Sequence, residues 1–178
     1  MLKRFVKRLN NKKGFGSIEI VISAMIVIMM VAGLIDMIQI TGRLETASQS
    51  IGYVSRVVQK QGGVQPNRIP NYQGKYTTSS TLYENIREMM YVNGIGEDDW
   101  VIYITANGNT HTLDPETRVP LVDYGNRIHI TLRVNFRWNI LASMFPGELA
   151  STNEASREVL SGYQVRDSGG MSTDLELE

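Results

Sequence analysis

The chain has 178 residues, 18 of them basic and 18 acidic, and no cysteine. That length allows one globular domain plus an anchor, and the missing cysteine excludes disulfide scaffolds, thiolate zinc sites and thiol nucleophiles. Six basics and no acid fall within residues 1–14, leaving twelve basics against eighteen acids beyond, an acidic body that argues against nucleic acid as a partner of the head because phosphate contacts need clustered Lys and Arg.

Residues 1–14 form a basic leader carrying Lys3, Arg4, Lys7, Arg8, Lys12 and Lys13. From Phe15 to Ile35 the chain then reads FGSIEIVISAMIVIMMVAGLI, in which Glu19 is the one charge. A helix of about 20 residues rises roughly 30 Å, the thickness of a bilayer core, so residues 15–40 are expected to form a transmembrane helix. Its apolarity on every face points to lipid, since a chain this small lacks the core to surround it. Basic residues precede the span, whereas Asp36, Arg43 and Glu45 follow it. The positive-inside rule therefore predicts a single-pass protein of the cell membrane with a cytoplasmic amino terminus and the head outside. A cleaved secretory signal fits less well, because the apolar run is long for one and Met30 stands where a cut after Ala32 would want a small residue.

Glu19 sets a physical problem. A carboxylate inside a span costs about 2.5–3.5 kcal/mol near the helix centre, less toward its end, and is disfavoured without a cation. The run Lys12-Lys13-Gly14-Phe15-Gly16-Ser17-Ile18-Glu19 resembles the class III signal of the type IV pilin superfamily. That resemblance implies leader cleavage between Gly14 and Phe15 by a prepilin peptidase. It also implies an assembly and register role for Glu19, which in the family is thought to meet the terminal amine of a neighbouring subunit. Gly16-Ser17-Ile18 departs from the Thr-Leu-Ile common in the best-known pilins. Within the superfamily, the Gly-Ser-Ile-Glu order and an apolar run closing on Gly33-Leu34-Ile35-Asp36 look most like the TadE-type minor pseudopilins of tight-adherence pili. The partners implied are prepilin peptidase, other pilin subunits, an inner-membrane assembly platform and the lipid bilayer.

Beyond the span, Ile40, Leu44, Ala47, Ile51, Val54 and Val58 recur at alternating steps of four and three. This predicts that residues 41–61 continue the helix amphipathically, with that stripe as its packing face, up to Gly62-Gly63. Residues 62–79 read as a linker loop. A second helix is expected over 80–92, capped by Ser79 or Ser80, and ending at Asn93-Gly94. The head is assigned to residues 80–166. Trp100–Thr105 and Thr110–Leu113, joined by Ala106–Asn109, read as a β-hairpin. From Ile128 to Phe136, apolar and polar residues alternate as in a strand with one wet face. Ser156–Val165 is expected to be a last strand, and residues 167–178 a flexible tail. The order gives an α+β fold, a long amino-terminal helix packed on a small antiparallel sheet, a layout similar to pilin heads.

Catalytic chemistry finds little here. His111 and His129 sit on probable strands with no third ligand indicated. The clusters Glu97-Asp98-Asp99 and Asp114, Glu116, Asp123 lack the alternating spacing of a calcium loop. No phosphate-cradling loop or nucleophile elbow occurs. The sequence therefore predicts a non-enzyme without cofactor or metal, and the resemblance implies a membrane-anchored minor pilin or pseudopilin, processed after Gly14 and assembled into or initiating a pilus. The alternative is an unprocessed single-pass protein presenting an extracytoplasmic binding domain.

Overall fold

No proline interrupts the chain before Pro66, and α1 runs unbroken over Lys12–Gln61. The remaining elements are α2 (Ser79–Val92), a 3-10 turn (Glu97–Asp99), β1 (Trp100–Ala106), β2 (Asn109–Thr112), β3 (Arg127–Arg137), α3 (Asn139–Met144) and β4 (Ala150–Leu160). The structure, a computed structural model, describes residues 12–69, 72, 74–144 and 150–163. The chain folds as two compact units, Met1–Thr41 with Arg137–Ala150, and Gly42–Phe136 with Ser151–Glu178. The fold is the expected α+β arrangement, a long helix on a four-stranded antiparallel sheet of order β2-β1-β3-β4.

In the larger unit, every second residue of β1 and β3 is buried, which puts Ile102, Ile104, Ile130 and Leu132 on one face of the sheet. Residues at one-turn spacing on two helices meet that face in a single core: Ala47, Ile51, Val54 and Val58 from α1, and Leu82, Ile86 and Met90 from α2. Each fully buried aliphatic side chain contributes about 1.5–3 kcal/mol from burial alone. The β1–β2 hairpin follows from its turn. Asn107 and Gly108 both have positive φ, 51° and 79°, the pair that a two-residue turn matched to strand twist requires.

The structure departs from the sequence reading at several boundaries. The cap of α2 is Thr78, whose hydroxyl accepts the Thr81 N–H at 3.2 Å, while Ser79 is buried and donates to the Pro115 carbonyl at 2.8 Å. Within the expected linker loop 62–79, described residues contact the rest of the head. The Gln61 side chain pairs with both the N–H and the C=O of Thr77, at 2.7 and 2.9 Å, and Gln65 donates to the Val119 carbonyl at 2.7 Å. The last strand lies earlier than Ser156–Val165, at Ala150–Leu160. Its register against β3 is set by Thr152 on Asn135 at 2.8 Å and Arg133 on Glu154 at 3.2 Å. Ser161 leaves the strand, sending its N–H to Asn126 and its hydroxyl to Val122. The 167–178 tail falls outside the described residues.

Candidate functional site

The first part of α1 exposes what a soluble helix would hide. Ile20 is 71% exposed, Val27 58% and Ile38 72%. The described helix Ile18–Gln61 is long and apolar enough to cross a membrane, with a best-window mean hydropathy of 2.7 and 6% of that window buried. Glu19 is exposed near its start, and none of the described residues pairs with its carboxylate. Gly14 and Phe15 fall in the opening turns of α1, while residues 1–11 of the leader lie outside the described region.

A second carboxylate brackets the apolar run. Asp36 follows Glu19 by seventeen residues, about 26 Å along the axis at 1.5 Å per residue. It is 1% exposed, and its two oxygens accept the Ile140 N–H at 3.2 Å each. Ile140 is the second residue of α3, so the carboxylate satisfies a donor that the helix start leaves free. The sequence reading did not single out Asp36 as a site. The signal available was an acid directly closing an apolar run, together with a second apolar stretch, WNILASMF, at residues 138–145.

The packing stripe divides. Ala47, Ile51, Val54 and Val58 enter the core, Ile40 is half-buried, and Leu44, 36% exposed, lines a recess of about 200 Å³ with Ala47, Leu132, Val134, Phe136 and Ala155. That recess is the apolar opening which the packing of α1 on β3 and β4 leaves unfilled. Gly14, Phe15, Glu19 and the stripe residues all belong to α1, and among the described residues they are not gathered into a pocket.

The remaining candidates lie in the head. His129 is on the wet face of β3 and meets Glu158 at 2.8 Å, beside Arg127 on the same carboxylate at 3.1 Å. Exposed pairs of this kind are worth about 0–1 kcal/mol each. His111 is on β2, half-buried, with Nε2 unpartnered. The Asp114 carboxylate accepts the Glu116 N–H at 2.8 Å, closing a turn. Glu97 accepts the Tyr83 hydroxyl at 2.7 Å. Burial, and then that carboxylate, push the phenol of Tyr83 up to about 12. Among the described residues no three His, Asp or Glu side chains gather to hold a metal.

Compared with family models, curated proteins and solved structures, the chain matches none. Fold and site together define a small α+β head carried on a helix that can cross a membrane.

Proposed function

We propose that this chain is a membrane-anchored minor pilin or pseudopilin, cut after Gly14 by a prepilin peptidase and assembled into, or initiating, a Tad-like type IV pilus. The observation that carries the reading is the lone Glu19 carboxylate, exposed on an apolar helix with no partner among the described residues. Cleavage creates at Phe15 an α-amino group with a reference pKa of about 8 and removes the leader's positive charge in one step. That amine on an adjacent subunit is the cation that Glu19 lacks. An axial offset that leaves both charges unpaired in an apolar surround is penalised by about 3–5 kcal/mol, so pairing selects one register. The buried stripe Ala47–Val58 supports the same reading, because the helix that carries the apolar run also supplies residues to the core of the head. The basic leader supports a cytoplasmic amino terminus with the head outside.

The test is the amino terminus of the full chain expressed with a prepilin peptidase. Mass spectrometry is expected to find a mature protein beginning at Phe15; an intact Met1 would replace this reading with an unprocessed single-pass anchor. Glu19→Ala is expected to leave cleavage and insertion intact and to lower incorporation into filaments about tenfold or more. Unchanged incorporation would remove the register role from Glu19.

A further inference from the structure

The connection between β3 and β4 belongs to the unit formed by the first part of α1. Asp36 fixes it there through the Ile140 N–H at 3.2 Å. Ala32, one turn earlier on the same face, is 4% exposed, and Met29 and Gly33 beside it are half-buried. A covered stripe therefore runs along α1 from Met29 to Asp36, about 10 Å at 1.5 Å per residue. Most of that stripe lies inside the uncharged run Ile20–Ile35.

Resting on the reading of α1 as a membrane span, we propose that residues 138–144, the described part of the β3–β4 connection, are a second membrane contact, an interfacial element seated in the outer edge of the bilayer. If Ile20–Ile35 is in hydrocarbon, a segment bonded to Asp36 meets lipid at the boundary. Its chemistry suits that depth. Residues 138–144, WNILASM, carry no charge, Trp138 is half-buried, and Met144 is 40% exposed. Tryptophan prefers the headgroup boundary, where its ring is apolar and its N–H stays wet. A helix start near lipid is costly when its N–H groups have no water to bond, and Asp36 supplies the acceptor at Ile140. At the other end, the Ser143 hydroxyl donates back to the Ile140 carbonyl at 2.6 Å. The occupant is the lipid surface rather than another protein, because the segment is bonded directly to the outer end of the span.

The natural chain has no cysteine, so single-cysteine variants report one position each. The full chain is reconstituted in phosphatidylcholine–phosphatidylglycerol vesicles with an environment-sensitive fluorophore at Met144→Cys, Ile26→Cys or Tyr91→Cys. Nitroxides on shallow acyl-chain positions are expected to quench the Met144 probe, and deep ones the Ile26 probe. Tyr91, 77% exposed on α2, is expected to stay unquenched, reporting a folded head in water. Adding Asp36→Ala is expected to reduce Met144 quenching about twofold or more while leaving Ile26 quenched. An unquenched Met144 beside a quenched Ile26 would overturn the interfacial contact and leave the span standing. Both unquenched would overturn the span itself. A Met144 probe shielded from aqueous iodide yet unquenched by lipid would assign the segment to a protein neighbour, against the proposal.

Discussion

Val54 and Val58 are sealed from solvent by the head, whereas Val27 and Ile28, on the same helix, are 58% and 57% exposed. Both stretches are built from the same β-branched and aliphatic residues, so composition does not explain the difference. Distribution around the helix does. Between Ile18 and Ile38 apolar residues occupy every face, which leaves no side for water. Between Ala47 and Val58 they keep to one stripe, with Ser48, Gln49 and Arg56 outside it, and the stripe meets the sheet. One helix thus carries two kinds of apolar surface, one that enters the protein core and one that is long and apolar enough to cross a membrane.

The sharpest way to break the comparison is to put the same charge into both halves. Val54→Asp buries an unpaired carboxylate in a site with no exposure and is expected to cost about 3–5 kcal/mol, enough to unfold the head. Val27→Asp is expected to leave head melting unchanged in detergent, while impairing insertion by about 2.5–3.5 kcal/mol. Circular dichroism of the head and membrane fractionation separate the two. Next in size is Leu82→Ala, which opens a cavity facing the stripe and is expected to cost about 2–5 kcal/mol in denaturant titration. Ile28→Ala is expected to cost the head nothing.

How legible each half was in the sequence follows from the same physics. The long apolar helix, the Ala47–Val58 part of the stripe and the β3 alternation were readable because each imposes a period or a run on its own residues. The hairpin was readable from Asn107-Gly108. The β4 boundary was not, because an edge strand with only Ala155 and Val159 partly buried needs no alternation, and its register comes from Asn135 and Arg133 on another strand. The contacts of Gln61 and Gln65 were hidden for a related reason, since both reach backbone groups many residues away. The contact of Asp36 with Ile140 spans 104 residues, and nothing local to either residue announces it.

Glycines at the two ends of the head portion of α1 sharpen the contrast by sign. A Cβ at Gly42 would meet nothing within 4 Å, so Gly42→Ala is expected to stabilise by about 0.5–1 kcal/mol through helix propensity. Gly62 terminates the helix at φ 72°, its N–H on the Val58 carbonyl at 2.8 Å. A Cβ there would lie 2.5 Å from Cβ of Tyr163 and 2.8 Å from the Val122 carbonyl. Gly62→Ala is therefore expected to destabilise by about 1–3 kcal/mol, and a pair of thermal melts reads both signs.

The smallest effect concerns pH, and it confines itself to the head because residues 18–41 contain no tyrosine. Tyr83 packs its ring 5.4 Å from Trp100 and donates to Glu97 at 2.7 Å. Burial, then the carboxylate, raise its pKa from 10.0 to about 12. The folded state holds this proton more tightly than the unfolded chain, so its stabilising effect is complete below pH 10 and is lost as pH rises through about 12. Head stability is expected to fall across that window, while the exposed apolar part of α1 gives no alkaline transition. Tyr83→Phe forfeits a hydrogen bond worth about 1 kcal/mol near neutrality and should flatten the alkaline fall. Tyr72 and Tyr76, both also raised chiefly by burial, leave a residual slope. An undiminished slope in Tyr83→Phe would mean that the Tyr83–Glu97 bond does not hold α2 to the 3-10 turn that precedes β1.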